Sequence, residues 1–338
     1  MTTASTPVRG PIVSRRALRW ALLVVGGAVA VILPRVLYPP VALDIAAWAL
    51  LAVSVDLLLG QAGLLSFGHA AFWGTAAYAT GLVALDWHLP FPVAVIFGAV
   101  VAAALALPIG ALAVRRTGIY FAMVTLAFAQ MIYFIANEWS GLTGGENGLQ
   151  DVPRTLFGVD LSDPYYFYYW MLPLAVAGLF AAWRLVNSPF GRVLNAIREN
   201  PTRARALGYP VERYKMLAFV LSAGIAGLGG GLFAMAHQFV TLDTLRWTTS
   251  GQAVILVVLG GIGTIWGGVL ASGITLRLQD YLSLRHFTAP DLILGVVFIV
   301  VVLGFRRGIW GTVAGLLAGR RRPAEAAVEE VREPVPAE

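Results

Sequence analysis

Long apolar stretches separated by short polar turns recur along the chain, at residues 18–37, 41–59, 68–86, 90–114, 119–137, 166–186, 215–236 and 290–305. Each approaches the ~20 helical residues needed to cross roughly 30 Å of hydrocarbon, so the pattern predicts an all-α bundle with about eight full membrane spans. The stretch 252–284 is also apolar but is interrupted by Gly260-Gly261-Ile262-Gly263-Thr264-Ile265-Trp266-Gly267-Gly268. It is predicted to form a re-entrant pair of half-helices with both ends on one side. A second interruption, Gly60-Gln61-Ala62-Gly63-Leu64-Leu65-Ser66-Phe67-Gly68, separates the second and third stretches. Irregular backbone at membrane depth is tolerated only where protein or a watered cavity surrounds it. Paired interruptions in two halves point to a translocation path, whereas any one glycine is explained more simply by close helix crossing.

Charge then orients the bundle. Basic residues concentrate in loops on the cytoplasmic side of bacterial membranes. With Arg9, Arg15, Arg16 and Arg19 inside, strict alternation also places Arg115, Arg116 and the arginine-rich loop 187–214 in the cytoplasm. Loop 138–165 then lies outside, carrying Glu138, Glu146, Asp151, Asp160 and Asp163 against Arg154 alone. The re-entrant pair lets the last span return inward, so that Arg306, Arg307, Arg320, Arg321 and Arg322 are cytoplasmic as well. The organisation expected is a cytoplasmic segment 1–17, a transmembrane domain 18–305 and a disordered cytoplasmic tail 306–338. Residues 18–37 read as a retained helix rather than a signal sequence, because no small-residue cleavage site follows.

Composition removes most chemistry. Of 338 residues 58% are hydrophobic and 12% charged, and 37 glycines sit largely within the apolar runs. The net charge of +6 is explained by loop placement without a nucleic-acid partner. No cysteine is present, which excludes disulfides and thiolate chemistry. A nucleotide-binding P-loop needs G-x-x-x-x-G-K-[ST], but the only lysine, Lys215, follows Pro210-Val211-Glu212-Arg213-Tyr214. ATP would therefore be used by other subunits, and no cofactor is expected in this chain. His69, His88, His237 and His286 are far apart in sequence and carry no metal-site signature. No metal site and no catalytic residue is predicted. Asp56 lies deep in an apolar run, where an ionisable group is costly unless paired; it reads either as a path residue or as a structural contact to an arginine or backbone group.

The loop 187–214 carries order of its own. Ser188 can cap a helix starting at Pro189, Asn200-Pro201 repeats the signal before Thr202–Leu207, and Gly208 supplies a stop. Two short helices would form a knob of arginines and small apolar residues, suited equally to docking a cytoplasmic partner or to lying on the lipid surface.

Several ordered motifs within residues 41–305 carry a resemblance. They are the first glycine-rich segment continued through His69-Ala70-Ala71-Phe72, Arg116-Thr117-Gly118-Ile119-Tyr120-Phe121-Ala122-Met123-Val124-Thr125-Leu126-Ala127-Phe128, Thr143-Gly144-Gly145-Glu146-Asn147-Gly148-Leu149, Ser188 through Asn200, and Gly260 through Thr264. Together they resemble the branched-chain amino-acid ABC transporter permeases of the LivM and LivH type, and LivM more closely. The resemblance implies a type II importer-like permease in the bacterial inner membrane, with both termini cytoplasmic. It further implies a second homologous permease, two cytoplasmic ATPases and an extracytoplasmic binding protein delivering Leu, Ile or Val. Loop 188–208 then looks like the ATPase-coupling element, through Arg192, Ala196, Ile197, Arg198, Glu199, Asn200, Arg203, Ala206, Leu207 and Gly208. Similar permeases carry acidic residues after the asparagine where this chain has Pro201 and Arg205. Gln61, Ser66, His69, Thr125, Gly260, Gly261, Gly263 and Thr264 are the candidate path residues. Other cargoes such as urea, short amides or other amino acids stay open, as does a secondary transporter or channel.

Overall fold

A computed structural model describes residues 31–285, 290–304 and 308–317. The N-terminal segment, most of the first apolar stretch, His286, Arg306, Arg307 and the tail with Arg320, Arg321 and Arg322 lie outside the described residues. The helices are α1 (Pro39–Asp56), α2 (His69–Asp86), α3 (Phe91–Ala113), α4 (Ile119–Glu138), α5 (Pro164–Val186), α6 (Pro189–Glu199), α7 (Pro201–Ala206), α8 (Val211–His237), α9 (Trp247–Gly260), α10 (Ile265–Leu284), α11 (Pro290–Gly304) and α12 (Gly308–Leu317). A two-stranded hairpin, Thr155–Leu156 with Val159–Asp160, sits between α4 and α5.

Prolines open α1, α5, α6 and α7 in the first turn, where the missing N–H would have no helical partner. Asp163 caps α5 by accepting from Tyr165 N at 2.8 Å. Among the described residues six helices are long and apolar enough to cross a membrane: Pro39–Gln61, Phe91–Ala113, Ile119–Glu138, Pro164–Val186, Val211–His237 and Leu292–Thr312. The bent pair α9 and α10 raises the number to seven if it is one span. The pair turns by 112° at its break. At this angle α10 runs mainly across the axis of α9, a bend that fits either a broken span or a re-entrant loop. Helix α2 was expected as a span and forms a helix, but is not among the six. Most of its length is buried in the bundle, and a helix largely surrounded by protein can carry Tyr78 and Thr80 without exposing them to lipid.

The centre of the bundle is α1, α2 and α8, with α3 packed on α2 and α8. Small residues make the crossings close, the usual device where hydrophobicity cannot drive helices together. A side chain at Gly98 would strike Thr80 Oγ1 and Ala76 O, and one at Gly227 would strike Ala102 and Ala99. Larger rings fill the remaining space: Trp73 lies between Trp48 and Phe233, at 5.7 and 5.4 Å between centroids.

The end of α8 is closed by the one arginine of loop 138–165. Arg154 is only 4% exposed. Its Nε donates to Met235 O at 2.6 Å, its Nη2 to Ala236 O, and its Nη1 to Ser162 O at 3.1 Å, while the guanidinium lies 4.8 Å from the centroid of Phe167. Last-turn carbonyls have no helical donors and carry the negative end of the helix dipole, so a buried cation with a fork of donors suits them. Arg154→Met should cost about 2–3 kcal/mol, because those carbonyls stay buried without a charged donor. Arg154→Lys should recover only part, since an ammonium cannot reproduce the fork. Thermal unfolding of the purified chain checks both; equal stability of wild type and Arg154→Met would remove this role.

Candidate functional site

At the opposite end of α8, the two glycine-rich breaks and the paired short helices meet. Helix α1 leaves α-geometry through a π-turn, Leu57–Gln61, a local widening that recurs at functional sites. Asp56 precedes this turn and is 1% exposed. Its Oδ1 accepts from Gly263 N at 2.6 Å, so the contact is to backbone, one of the two forms expected for this residue. Gln61 Nε2 donates to Gly263 O at 3.4 Å. Gly60 has no room for a side chain: a Cβ would lie 2.4 Å from Asp56 Oδ1 and 2.6 Å from Gly263 Cα and N. Gly263 adopts φ +83°, a region in which L side chains are strained. Gly260 is pressed equally closely to Gly267 across the second break, and Gly308, at the start of α12, to Gly261.

The short helices reach this same point. Ser188 Oγ accepts from Gly191 N at 3.3 Å and Asn200 Oδ1 from Arg203 N at 2.9 Å, so both N-caps form as the sequence indicates, and Gly208 has φ +86° after α7. Leu194, Ile197, Ala204 and Val211 turn inward. From α6, Asn195 Nδ2 donates to Gln61 Oε1 at 2.9 Å, and Arg198 Nη1 to Gly60 O. Arg198 also crosses Gly63 (φ +69°), where a Cβ would come within 2.9 Å of its Cγ. Helix α6 is thus hydrogen-bonded to the first break, which is hydrogen-bonded to the second. The outer side of the knob carries Arg192, Ala196, Glu199, Asn200, Arg203, Ala206, Leu207 and Gly208 exposed, while Arg205 pairs with Glu212.

Of the remaining candidate path residues, Ser66, Thr125 and His69 gather around the start of α2, and Thr264 stays within the second break. Ser66 Oγ accepts from Gly68 N at 3.1 Å, and Thr125 Oγ1 accepts from Phe67 N at 3.2 Å while donating to Ala122 O at 2.9 Å. His69 Nε2 lies 2.8 Å from Ser222 Oγ, which donates to Ser54 O at 2.6 Å. Thr264 bonds back to Gly261 O within its own turn. Asp56 Oδ2 and His69 Nδ1 are buried without a hydrogen-bond partner among the described residues. No group of three or more His, Cys, Asp or Glu that could hold a metal occurs among the described residues.

Asn195, Ser54, Ser222 and Ser250 were not singled out by sequence. Ser250 Oγ accepts from Ala70 N at 2.7 Å, tying α9 to the start of α2. A serine inside an apolar helix gives no sign of which distant backbone group it will meet.

Residues 40–305 match the family described as branched-chain amino acid transport system / permease component. The chain belongs to this family. The permease is 28% identical over 318 residues to the high-affinity branched-chain amino acid transport system permease protein LivM of Salmonella typhimurium, covering 87% of this chain and 72% of that one. It is 29% identical over 287 residues to LivM of Escherichia coli strain K12, covering 78% and 67%. The autoinducer 2 import system permease protein LsrC of Salmonella paratyphi B is 32% identical over 135 residues, covering 38% and 39%. No solved structure matches. Family and helices together make the chain a multi-pass membrane permease component.

Proposed function

We propose that this permease is the membrane-spanning subunit of an ATP-driven importer of branched-chain amino acids, with the cytoplasmic gate at the junction of the two breaks. The observation that carries the reading is the run of contacts from α6 to α1 to the α9–α10 break, through Arg198 and Asn195 to Gly60 and Gln61, and through Asp56 and Gln61 to Gly263. An ATPase that moves the α6–α7 knob pulls directly on the first break. Because the breaks touch through backbone, a small shift there parts them. Asp56 Oδ2 and His69 Nδ1, two of the four buried side-chain atoms without a hydrogen-bond partner among the described residues, then have capacity left for a passing polar solute. A second homologous permease, two ATPases and an external binding protein complete the machine. Both termini are assigned to the cytoplasm.

The knob has the surface an ATPase would need: arginines around apolar residues, with Leu207 71% exposed. Leu207→Glu should weaken ATPase association about tenfold or more, as truncation of a central apolar anchor does at interfaces, and leave thermal stability nearly unchanged because the side chain is largely exposed. Co-purification of the ATPase subunits reads the effect; undiminished association would move the docking face elsewhere.

ATP-dependent uptake of labelled leucine into liposomes holding this permease, its partner permease and the ATPases, with binding protein outside, tests the whole reading. Uptake should need ATP and fail when Arg192 and Arg198 are reversed to Glu. Uptake by this chain alone would make it a secondary transporter or channel. The partial similarity to an autoinducer 2 permease makes that compound the first alternative cargo to try.

A further inference from the structure

The outer face of the permease carries a groove that the transport reading does not use. It lies between the last turns of α3 and the first turns of α8, which run antiparallel: Gly110 meets Met216 and Phe219, and Gly224 faces Ala103. The groove encloses about 670 Å³ and its walls are Leu107, Ala111, Val114, Met216, Leu217 and Val220. Leu107 to Val114 covers about 10 Å of helix rise. Leu107 and Leu217 are 51% and 50% exposed, so the groove opens outward from the bundle. Its polar residues, Arg115, Glu212 and Arg213, all lie at one end, beyond the last turn of α3 and in the first turn of α8. The carboxylate of Glu212 is taken by Arg205. Among the described residues, no acidic group is paired with Arg115 or Arg213.

We infer that this groove binds a membrane phospholipid with a negatively charged headgroup, its phosphate held by Arg115 and Arg213 and the upper part of an acyl chain lying along Leu107, Ala111 and Leu217. Charge complementarity selects the occupant. A groove that is apolar in depth and cationic at the membrane surface matches an anionic lipid from end to end, and basic pockets between transmembrane helices are known to select such headgroups. A free phosphate would satisfy the arginines and leave the apolar walls uncovered. A partner helix would have to bring an acidic residue to the same depth.

Native mass spectrometry of the full-length chain, released from micelles containing equal phosphatidylglycerol and phosphatidylcholine, tests this. Wild type should retain phosphatidylglycerol about tenfold over phosphatidylcholine. Arg115→Gln with Arg213→Gln should bring the ratio to near one, and Ala111→Phe, which fills the groove, should lower retention of both. Arg184→Gln removes one charge at the same end of α5 and should leave the ratio within about twofold, whereas Arg213→Gln alone should shift it further. Inorganic phosphate at millimolar concentration should not displace the lipid. Equal retention of both lipids by wild type, an undiminished ratio in the double variant, or displacement by phosphate would each overturn the proposal. So would loss of the bound lipid when the partner permease is added, which would make the groove a protein interface. Melting temperatures of the variants, if unchanged, exclude misfolding as the cause.

Discussion

Gly60→Ala should reduce ATP-dependent uptake about tenfold or more while ATP hydrolysis by the assembled complex continues. The added methyl would sit 2.4 Å from Asp56 Oδ1 and 2.6 Å from the Gly263 backbone, and the backbone contact cannot be relieved by rotating a side chain. Overpacking of this kind costs roughly 1–3 kcal/mol, and the cost falls on the arrangement in which the two breaks touch. An equilibrium displaced by that much changes about five- to 150-fold, which is the range expected for the loss of coupled transport. Arg198→Gln approaches the same junction without steric conflict. It removes the charged donor to Gly60 O and should also uncouple hydrolysis from uptake, though less severely, because Asn195 still holds Gln61. Gly251→Ala is the control, since nothing lies within 4 Å of that position on α9. If Gly60→Ala transports like wild type, the gate is not at this junction.

Much of this arrangement was legible, and the illegible part has a common cause. The caps of α6 and α7 depend on Ser188, Pro189, Asn200 and Pro201, all local in sequence, and they form as read. The positions of both breaks were equally plain, because glycines inside apolar runs are local signals too. That the breaks touch was not legible: Asp56 and Gly263 are 207 residues apart, and the partner atoms are a backbone N–H and C=O that every non-proline residue has. Arg154 was read as one basic residue in an acidic outer loop. Its burial against α8 depends on where the hairpin Thr155–Asp160 folds and on Phe167 beneath it. Helix α2 shows the opposite difficulty. Hydropathy placed it well as an element, but its share of lipid-facing surface depends on neighbours from α1, α3 and α8 that no window of sequence contains. Residues of α6 and α7 divide in the same way. Ile197 is buried, Arg198 is exposed while donating to Gly60 O, and Leu207 faces outward.

Gly230→Ala should have the largest effect on folding of any single methyl added to α8. Its Cβ would lie 2.1 Å from Trp73 O and 2.8 Å from Trp73 C, and both are backbone atoms of the buried helix α2. Relief would require α8 to withdraw from α2, and neighbouring contacts oppose this: Gly227 is seated on Ala99 and Ala102 of α3, and Gly231 on Thr80 and Val95. Separating one crossing opens the others, so the cost should reach at least the upper end of the ~1–3 kcal/mol for core overpacking, and most of the chain should fail to reach a monodisperse state. Gly224→Ala provides the contrast on the same helix. There the new methyl would meet only Ala103 Cβ at 3.7 Å, an ordinary contact, and alanine is favoured over glycine in a helix interior by about 0.5–1 kcal/mol. Gly224→Ala should therefore melt at or above the wild-type temperature, while Gly230→Ala elutes mainly as aggregate in size-exclusion chromatography. A folded Gly230→Ala with wild-type stability would mean that α2 and α8 are not held at this distance, and the close-packed centre that positions both breaks would have to be abandoned.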